Sequence, residues 1–499
     1  MERYRRKVFY GTLTIFVFSI IAAVFAYFFR VLLTKNLSLS DYGLFYALIA
    51  FGSFLMVIRD LGVMYSGYYF IPRLISQRKF GIMNSMIKYM VKFEVLVSLM
   101  LSLALILVSD LIIQNYFHTA SRAVFLIFAV LIFFNSLEVS IQHFFNFFQN
   151  QFLFSLHSLM RNVLILIITV IAFVYFNGIL VPLFTHIITY ALLLAIFSFV
   201  FYKKIFLKYS SHKDQKFDKR QLIIFGIPSM LFSLGLFLIT SADTIILTLF
   251  RTLDEVGLYN IGAPIVGLLL FFSYAASSVV LPLSSELWAR KKIELLQRII
   301  LILQKYTFII LIPCVGILMM FSKYVITVLF GQEFVAASNV LFILSFGSLF
   351  LSVGVINVHF LFGVYGSREA TKVYVYSAII NIISSIVLVH YLGIIGAAIG
   401  TLAGYIALYV ISSFKLYEKL GVGFPWKTNL LTLLSFIVYI ALLYGASNIF
   451  LLYTLLSKLL TVAISGSLYT LVLFSLKIIS WDELKDIYLL MIKRDVKKM

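Results

Sequence analysis

A long apolar helix predicted at residues 122–149 carries a stripe of polar side chains at helical spacing. At about 100° per residue the members of this stripe fall within an arc of about 80°, and His143 lies at its edge. Amide and carboxylate groups offer both hydrogen-bond donors and acceptors, so the stripe predicts a polar surface that can bind a ligand. Hydrocarbon would not tolerate such a face, which therefore should line a cavity. Its members are Asn135, Glu138, Gln142, Asn146 and Gln149.

Three arginines lie within other predicted membrane spans: Arg30 in span 1, Arg59 in span 2 and Arg161 just inside span 5. A charge inside a membrane helix is costly, and it usually faces a cavity or a partner. The planar guanidinium binds oxyanions through paired hydrogen bonds, so these residues are candidates to bind an anionic ligand. A structural ion pair for Arg59 and an interfacial position for Arg161 are the alternative interpretations.

Deep carboxyl groups predict a second kind of site. Asp60 in span 2 and Asp243 in span 7 join Glu138 as carboxylates that could bind a coupling H⁺ or Na⁺. The predicted ion-coupling residues are thus Asp60, Glu138 and Asp243. The predicted substrate-binding residues are Arg30, Arg59, Asn135, Glu138, Gln142, His143, Asn146 and Arg161.

Composition decides which class of protein must position these groups. Hydrophobic residues make up 62% of the 499-residue chain, charged residues make up 12%, and the mean hydropathy is +1.06. A soluble domain has too little interior to hide so much apolar surface, so we predict an all-α polytopic membrane protein. The formal net charge of +20 does not indicate a nucleic-acid partner, because the cations cluster in predicted loops.

Fourteen apolar segments are each long enough to cross a bilayer, which takes roughly 20 helical residues. With seven prolines in the chain, these helices are predicted to be mostly unbroken. The spans are predicted at 8–34, 42–71, 85–109, 122–149, 152–176, 179–202, 222–250, 256–282, 296–321, 334–363, 371–391, 393–414, 428–448 and 456–478.

Lysine and arginine are distributed unequally between the predicted loops. Most of these 40 residues lie on the side of the N-terminus, whereas the loops on the opposite side hold five. This asymmetry predicts a plasma-membrane protein with both termini and the connector between its halves in the cytoplasm. Trp288, Trp426 and Trp481 fall at predicted cytoplasmic boundaries, where tryptophan anchors are expected.

The chain contains an internal repeat at an offset of 215 residues. Residues 178–204 and 393–419 align without gaps with seven identities, and SDYGLFY (40–46) matches DEVGLYN (254–260) at an offset of 214. The offset covers six predicted spans, an even number, so the halves are parallel repeats. We predict an N-lobe at 1–202, a connector at 203–221, a C-lobe at 222–420, and two added helices with a tail at 421–499.

In the order and spacing of its predicted spans and motifs, the chain resembles the polysaccharide flippases of the multidrug/oligosaccharidyl-lipid/polysaccharide (MOP) superfamily. The resemblance rests on the 6+6+2 plan, the YGLF and VGLY elements that open spans 2 and 8, and FGIPSM at 225–230. It implies a MOP-type fold and the translocation of a polyprenyl-diphosphate-linked oligosaccharide to the outer leaflet by alternating access. It also implies membrane lipids, a coupling ion, and glycan polymerase or ligase machinery as partners.

Other classes fit the sequence less well. A multidrug or cation antiporter of the same superfamily is the main alternative, although such antiporters usually stop at twelve spans. A major-facilitator transporter is disfavoured because the loop after span 2, IPRLISQRKFG, lacks that family's Gly-Asp-Arg-Gly pattern. No phosphate loop, H-E-x-x-H motif or Cys/His metal spacing is present, so no enzyme, cofactor or metal is predicted. No predicted loop carries the paired-acid motif of metal-dependent membrane glycosyltransferases, and a polysaccharide ligase or polymerase would need a longer external loop than the longest predicted one, 109–121.

The two halves are predicted to be functionally unequal. At an offset of about 216 the stripe of span 4 maps onto apolar positions of span 10, where Glu138 meets Gly354. Only His143 keeps its identity, as His359. We expect the first half to hold a sugar-diphosphate head group, while the second half provides a mostly apolar wall and an ion site at Asp243.

Overall fold

The computed structural model describes residues 2–117, 121–210, 212–422, 426–449, 455–476 and 478–479. Trp481, the rest of the predicted tail and the side chain of Trp426 lie outside what it describes. The described residues are overwhelmingly helical and contain no strand. The helices are α1 (Glu2–Asn36), α2 (Leu39–Ile58), α3 (Val63–Ser76), α4 (Phe80–Leu107), α5 (Ser109–Ile112), α6 (Arg122–Phe147), α7 (Gln151–Tyr175), α8 (Leu180–Lys204), α9 (Arg220–Phe250), α10 (Leu253–Gly267), α11 (Leu270–Ala289), α12 (Ile293–Met320), α13 (Ser322–Leu329), α14 (Ala337–Tyr365), α15 (Ser367–Leu420), α16 (Trp426–Ile449) and α17 (Leu455–Ser475).

Within the described residues, twelve helices are long and apolar enough to cross a membrane, and α16 contains a shorter apolar stretch, Leu433–Ser447. One of the twelve is α15, which is 54 residues long. Gly393 in its middle has a φ of +57° and interrupts the helix between predicted spans 11 and 12. The prediction of an all-α polytopic membrane protein is confirmed, and the exact count of fourteen spans stays a prediction.

Predicted span 2 is not one continuous helix. It is broken between α2 and α3, where Leu61 and Gly62 have φ angles of +48° and +78°. The Asp60 carboxylate accepts hydrogen bonds from the backbone N–H groups of Gly62 (3.2 Å) and Met64 (2.8 Å). It thereby satisfies donors that the start of α3 leaves open. The prediction of an unbroken span is wrong here, because a local cap and a glycine support the turn.

Predicted span 8 is broken between α10 and α11 in a comparable way. Pro264 in the last turn of α10 has no N–H to donate, and the helix ends at Gly267. The predicted external loop 109–121 is also partly helical, with α5 followed by a π-helical turn at Ile113–Phe117. The apolar pattern continues across the break between α10 and α11, so hydropathy alone does not locate that break.

Corresponding helices lie at the centre of each half of the molecule. In the half formed by α1–α8, here called the N-lobe, α6 packs against α2, α3, α4, α7 and α8. In the half formed by α9–α15, here called the C-lobe, α14 packs against α10, α11, α12, α13 and α15. The added helices α16 and α17 pack together, and α16 lies on α12.

Both repeated motifs begin a helix with the same kind of cap. The Asp41 N–H donates to Ser38 Oγ over 3.1 Å at the start of α2. The Glu255 N–H donates to Thr252 Oγ1 over 3.4 Å at the start of α10. Side-chain caps of this type satisfy orphan N–H groups of the first turn, so the repeat specifies two matching helix starts.

The capped helices then cross each other at glycines of the repeated motifs. A Cβ atom on Gly43 would overlap the backbone carbonyl of Leu253, and one on Gly257 would lie 2.8 Å from the Leu39 carbonyl oxygen. At the opposite end of the lobe interface, Gly62 of the broken span approaches Gly226 of α9 so closely that neither has room for a Cβ atom. The lobes therefore meet at both ends of the molecule.

Candidate functional site: two adjoining polar cavities

A cavity of about 350 Å³ lies inside the N-lobe. Its central wall is α6, which contributes Asn135, Val139 and His143 at four-residue spacing. The helices α2, α3, α7 and α8 complete the wall, and Phe237 of α9 closes it toward the C-lobe. Five predicted site residues line this one cavity: Arg59, Asp60, Asn135, His143 and Arg161.

The predicted polar stripe of α6 is divided between this cavity and the lobe interior. Glu138 is fully buried and lies against α7. Gln142 and Asn146 are half-buried and do not line the cavity, while Gln149 is exposed beyond the end of the helix. The prediction of a single cavity-facing stripe is therefore wrong in detail, because α6 is surrounded by helices and different parts of the arc meet different neighbours.

On one side of the cavity, Arg59 forms a buried ion pair with Glu94 of α4. Arg59 Nε donates to Glu94 Oε1 over 2.8 Å, and Nη1 donates to the Met56 carbonyl over 2.9 Å. Nη2 donates to the Ser136 carbonyl and to Ser140 Oγ, each over 3.2 Å. Nearly all donors of this guanidinium are engaged, so it shapes the wall and has little left to offer a ligand.

Glu94 is a residue that the sequence reasoning missed. It lies in the middle of predicted span 3, and its side chain is only 3% exposed. The signal was present, since a carboxylate deep in an apolar span is the feature that marked the other candidates. Its partner, Arg59, could not be read from the sequence, because the two residues lie on different helices and the sequence does not show which helices pack together.

On the other side of the cavity, a second arginine–glutamate pair is looser. Arg161 Nη1 lies 3.6 Å from Glu138 Oε2, and His157 Nε2 lies 3.4 Å from Glu138 Oε1. The Glu138 and His157 side chains are 0% exposed, whereas the Arg161 side chain is 27% exposed and reaches the cavity. His157 was not predicted as a site residue, although it lies one helical turn before Arg161.

Aromatic side chains surround His143 at one end of the cavity. His143 Nδ1 lies 2.5 Å from the Tyr68 hydroxyl, and its ring centroid lies 6.1 Å from that of Tyr65. Tyr65 itself lines the cavity. This end therefore combines ring faces with hydrogen-bonding groups, a surface suited to a ligand with both apolar and polar edges.

A second cavity of about 470 Å³ lies between the lobes. It shares Ile49, Ser53 and Phe237 with the N-lobe cavity, so the two spaces adjoin. Arg30 lines this second cavity, opposite Asn260 of the C-lobe. The deep arginine of span 1 is thus placed in the central space, apart from the other predicted arginines.

The Arg30 guanidinium is held by aromatic and neutral groups. Nη1 donates to the Asn260 carbonyl over 3.1 Å, and the guanidinium carbon lies 4.3 Å from the centroid of the Tyr46 ring. The Tyr42 hydroxyl donates to the same carbonyl over 3.4 Å. No carboxylate of the described chain forms an ion pair with Arg30, so its charge is available to an anion that enters the cavity.

Asp243 occupies a separate polar centre inside the C-lobe. It is 1% exposed, and it accepts hydrogen bonds from Ser385 Oγ (2.9 Å), the Tyr259 hydroxyl (3.0 Å) and Thr401 Oγ1 (2.5 Å). Asn381, one turn before Ser385, is buried with both amide atoms unpaired. Across the described residues, no group of three or more His, Cys, Asp or Glu side chains could hold a metal ion.

Comparison with known proteins places this geometry in a family. Residues 8–288 match the family described as polysaccharide biosynthesis protein. An uncharacterized membrane protein of Methanocaldococcus jannaschii is 27% identical over 493 residues, which cover 95% of this chain and 96% of that protein. The probable low-salt glycan biosynthesis flippase Agl15 of Haloferax volcanii is 25% identical over 228 residues, 46% of this chain and 48% of that protein.

Solved structures show the same fold. The lipid II flippase MurJ, in an inward closed conformation, superposes with a TM-score of 0.74 at 19% identity, covering 93% of this chain and all of MurJ. An inward-facing multidrug resistance MATE family transporter of the MOP superfamily superposes with a TM-score of 0.64 at 14% identity, covering 80% of this chain and 94% of that structure. The predicted MOP-type fold is confirmed, and the named relatives are flippases and transporters. With more than half of its length matching the family, the chain belongs to the polysaccharide biosynthesis protein family.

Proposed function

We propose that this protein flips a polyprenyl-diphosphate-linked oligosaccharide from the cytoplasmic to the outer leaflet of the plasma membrane by alternating access. The observation that carries the proposal is the pair of adjoining cavities with different chemistry. One places an uncompensated arginine between the lobes, and the other places amide, imidazole and tyrosine groups inside the N-lobe. The names of the relatives, a glycan biosynthesis flippase and a lipid II flippase, support the same substrate class.

Arg30 is assigned to the diphosphate. The planar guanidinium presents paired donors that match phosphate oxygens, and a dry or half-dry cavity strengthens the contact. The Tyr46 ring and the Asn260 carbonyl hold the group in place without neutralising it. Lysine offers a point charge without the fork, so it should replace Arg30 only in part.

The sugars are assigned to the N-lobe cavity. Asn135 and His143 offer hydrogen bonds, and the Tyr65 ring offers an apolar face. Arg161 can reach either a sugar hydroxyl or the phosphate nearest to it, since it lies on the cavity wall. A combined space of this size falls within the ~300–1,000 Å³ of typical ligand pockets. The prenyl tail remains in lipid or along apolar helix surfaces.

Alternating access would use the two contacts between the lobes. Gly43 with Gly257 at one end, and Gly62 with Gly226 at the other, allow helices to approach closely enough to seal the cavities. Opening one contact while the other stays closed would expose the cavities to one side at a time. Asp243, whose carboxylate accepts from three hydroxyl groups, is assigned a coupling H⁺ or Na⁺.

The charge of the cavities argues against a multidrug or cation antiporter. Arg30, Arg59 and Arg161 all line the two spaces, and only Arg59 has a tight carboxylate partner. A cationic drug entering beside Arg30 would meet a like charge at low dielectric, which is unfavourable. The positive-inside asymmetry further supports cytoplasmic termini and connector.

Reconstituted vesicles test the proposal directly. The purified protein is placed in liposomes with a polyprenyl-diphosphate-linked oligosaccharide, and a membrane-impermeant sugar-oxidising reagent reports how quickly inner-leaflet sugar becomes accessible. We expect the wild-type protein to accelerate exchange, Arg30→Ala to abolish it and Arg30→Lys to restore part of it. Arg122→Ala is the control, since that arginine is 68% exposed and only pairs with Asp110. Full activity of Arg30→Ala would remove Arg30 from the site, and an inactive wild type would contradict the function.

A further inference from the structure

We propose that Glu138 and His157 form a proton-binding site that is linked to anion binding at Arg161. When Arg161 leaves Glu138 to contact an anion in the N-lobe cavity, the buried carboxylate takes up one proton and shares it with His157. When the anion leaves, Arg161 returns and the proton is released. This inference rests on the proposed function, because it takes the anion to be the diphosphate of the substrate.

The first observation is a buried group of titratable atoms without hydrogen bonds. Neither carboxylate oxygen of Glu138 and neither ring nitrogen of His157 has a hydrogen-bond partner, although both side chains are 0% exposed. The His157 ring packs against Phe197 with a centroid distance of 4.6 Å. A buried ionised carboxylate needs compensation, and among the described residues the full positive charge beside Glu138 is that of Arg161, 3.6 Å away.

The second observation is the contrast between the two arginine–glutamate pairs that flank the cavity. Arg59 is 5% exposed and donates hydrogen bonds to the Glu94 carboxylate and to three other groups. Arg161 is 27% exposed, contacts its carboxylate only at 3.6 Å and borders the cavity. Arg161 is therefore the arginine that a ligand can recruit, while Arg59 is committed to the wall.

The linkage follows from charge balance. With Arg161 beside Glu138 and His157 neutral, the cluster carries no net charge. Moving the guanidinium toward an anion leaves one negative charge in an apolar site. A proton from cavity water restores neutrality by forming a carboxylic acid at Glu138, whose O–H can donate to His157 Nε2. Because binding linkage is reciprocal, protonation of the cluster must strengthen anion binding by the same factor.

Other titratable groups around α6 are already engaged or lie elsewhere. From α8, His186 Nδ1 contacts the Pro182 carbonyl of its own helix at 2.6 Å, and Tyr190 lies on the cavity wall. From α2 and α4, the Arg59–Glu94 pair bonds to Ser136 and Ser140, on the side of α6 away from Glu138. His143 faces Tyr68 in the cavity. Within the described residues, the titratable side chains in direct contact with the Glu138 carboxylate are thus His157 and Arg161.

The experiment measures proton uptake and anion affinity together. The full-length protein in lipid nanodiscs is titrated with dimethyl diphosphate, a diester whose two phosphates stay ionised near neutral pH, so the probe itself exchanges no protons. We expect binding to tighten by up to about tenfold per pH unit between about pH 8 and about pH 6, as one linked proton requires. In weak buffer with a pH-sensitive dye, the protein should take up as much as about one proton for each probe molecule that it binds.

Three variants locate the proton. Glu138→Gln replaces the carboxylate with a neutral amide of the same shape, so it should bind the probe without pH dependence and without proton uptake. Arg161→Gln should lose the link, whereas Arg161→Lys should keep it with weaker binding. His186→Gln is the matched control, since it removes another buried histidine of the N-lobe and should preserve proton uptake. Thermal unfolding of each variant reports whether it folds.

The outcomes separate this inference from the proposed function. Wild-type binding that is independent of pH and releases or takes up no proton would overturn the proton site while leaving the diphosphate site intact, and this result needs no variant. Proton uptake that persists in a folded Glu138→Gln protein would also overturn it. Complete absence of probe binding by the wild type would contradict the diphosphate site and, with it, the linked proton.

Discussion

The central helices of the two lobes, α6 and α14, correspond in the internal repeat but have different surroundings. On α6, Asn135 and His143 face an open cavity and Glu138 meets an ionisable cluster. On α14 the position matching Glu138 is Gly354, and a Cβ atom there would lie 2.8 Å from Leu408, so the C-lobe is packed closed at this point. The lobes share a scaffold, while their interiors have diverged.

The divergence is not a loss of polarity from the C-lobe. Asp243 there is surrounded by hydroxyl donors from three other spans, and it lines neither cavity. The N-lobe instead exposes part of its polar groups to a space large enough for a ligand. A satisfied and enclosed carboxylate suits a small ion, whereas an open cavity with a recruitable arginine suits a large anion.

Symmetry between the lobes is retained where they contact each other. Gly43→Val and Gly257→Val should therefore act alike, and each should reduce flipping in the vesicle assay by at least about 100-fold, because a side chain at the crossing of α2 and α10 prevents closure at that end. Gly445→Val is the control, since open space surrounds that glycine. Wild-type flipping rates in Gly43→Val or Gly257→Val would contradict a sealing role for the repeated motif.

The two deep aspartates should differ in ion coupling. Asp243→Asn removes the charge from the enclosed C-lobe centre, and we expect it to eliminate any stimulation of flipping by an imposed Na⁺ gradient, while stimulation by an H⁺ gradient through Glu138 should persist. Asp60→Asn should keep that stimulation, because Asp60 caps α3 and the asparagine oxygen can still accept the Met64 N–H, which makes the shorter of the two bonds. The measurement is the ratio of rates with and without each gradient. Equal behaviour of the two variants would remove the distinction between the lobes.

The smallest expected effect on flipping concerns His143 and its counterpart in the repeat, His359. His143→Ala should slow flipping about tenfold, the loss expected for one ligand hydrogen bond of about 1.4 kcal/mol. His359→Ala should change it less than about twofold, since His359 bonds to the Val355 carbonyl of its own helix over 2.7 Å, packs edge-to-face against Phe232 and lines neither cavity. The measurement is the flipping rate of each variant in matched vesicles. Similar losses of rate in the two variants would contradict the predicted inequality of the lobes.

Several residues behaved as their sequence context predicted. Arg30 lies in the central cavity, and Asn135 and His143 line the N-lobe cavity. The spacing of Asn135 and His143 on one apolar helix was enough to indicate a surface that faces the protein interior. Whether these residues bind substrate stays a prediction, since their position shows access to a space and the vesicle assays must show its use.

Other residues could not be assigned without their neighbours. Asp60 reads as a deep carboxylate in the sequence, but its oxygens cap a helix start that hydropathy does not reveal. Glu138 belongs to the same polar arc as Asn135 and yet meets α7, because a helix at the centre of a lobe has partners on every side. Glu94 was not among the predicted site residues, and its contact with Arg59 in the structure identifies it.

By itself the sequence determined the membrane class, the repeat and the family resemblance, because these depend on composition, hydropathy and order along the chain. Helical phase also limited which residues could share a face. Only the tertiary structure decided which charges pair and which remain available to a ligand. Arg59 forms a tight ion pair with Glu94, while Arg161 lies more loosely beside Glu138. The physical reason is that the fate of a buried charge depends on atoms within a few ångströms, and in this protein those atoms come from helices far apart in the chain.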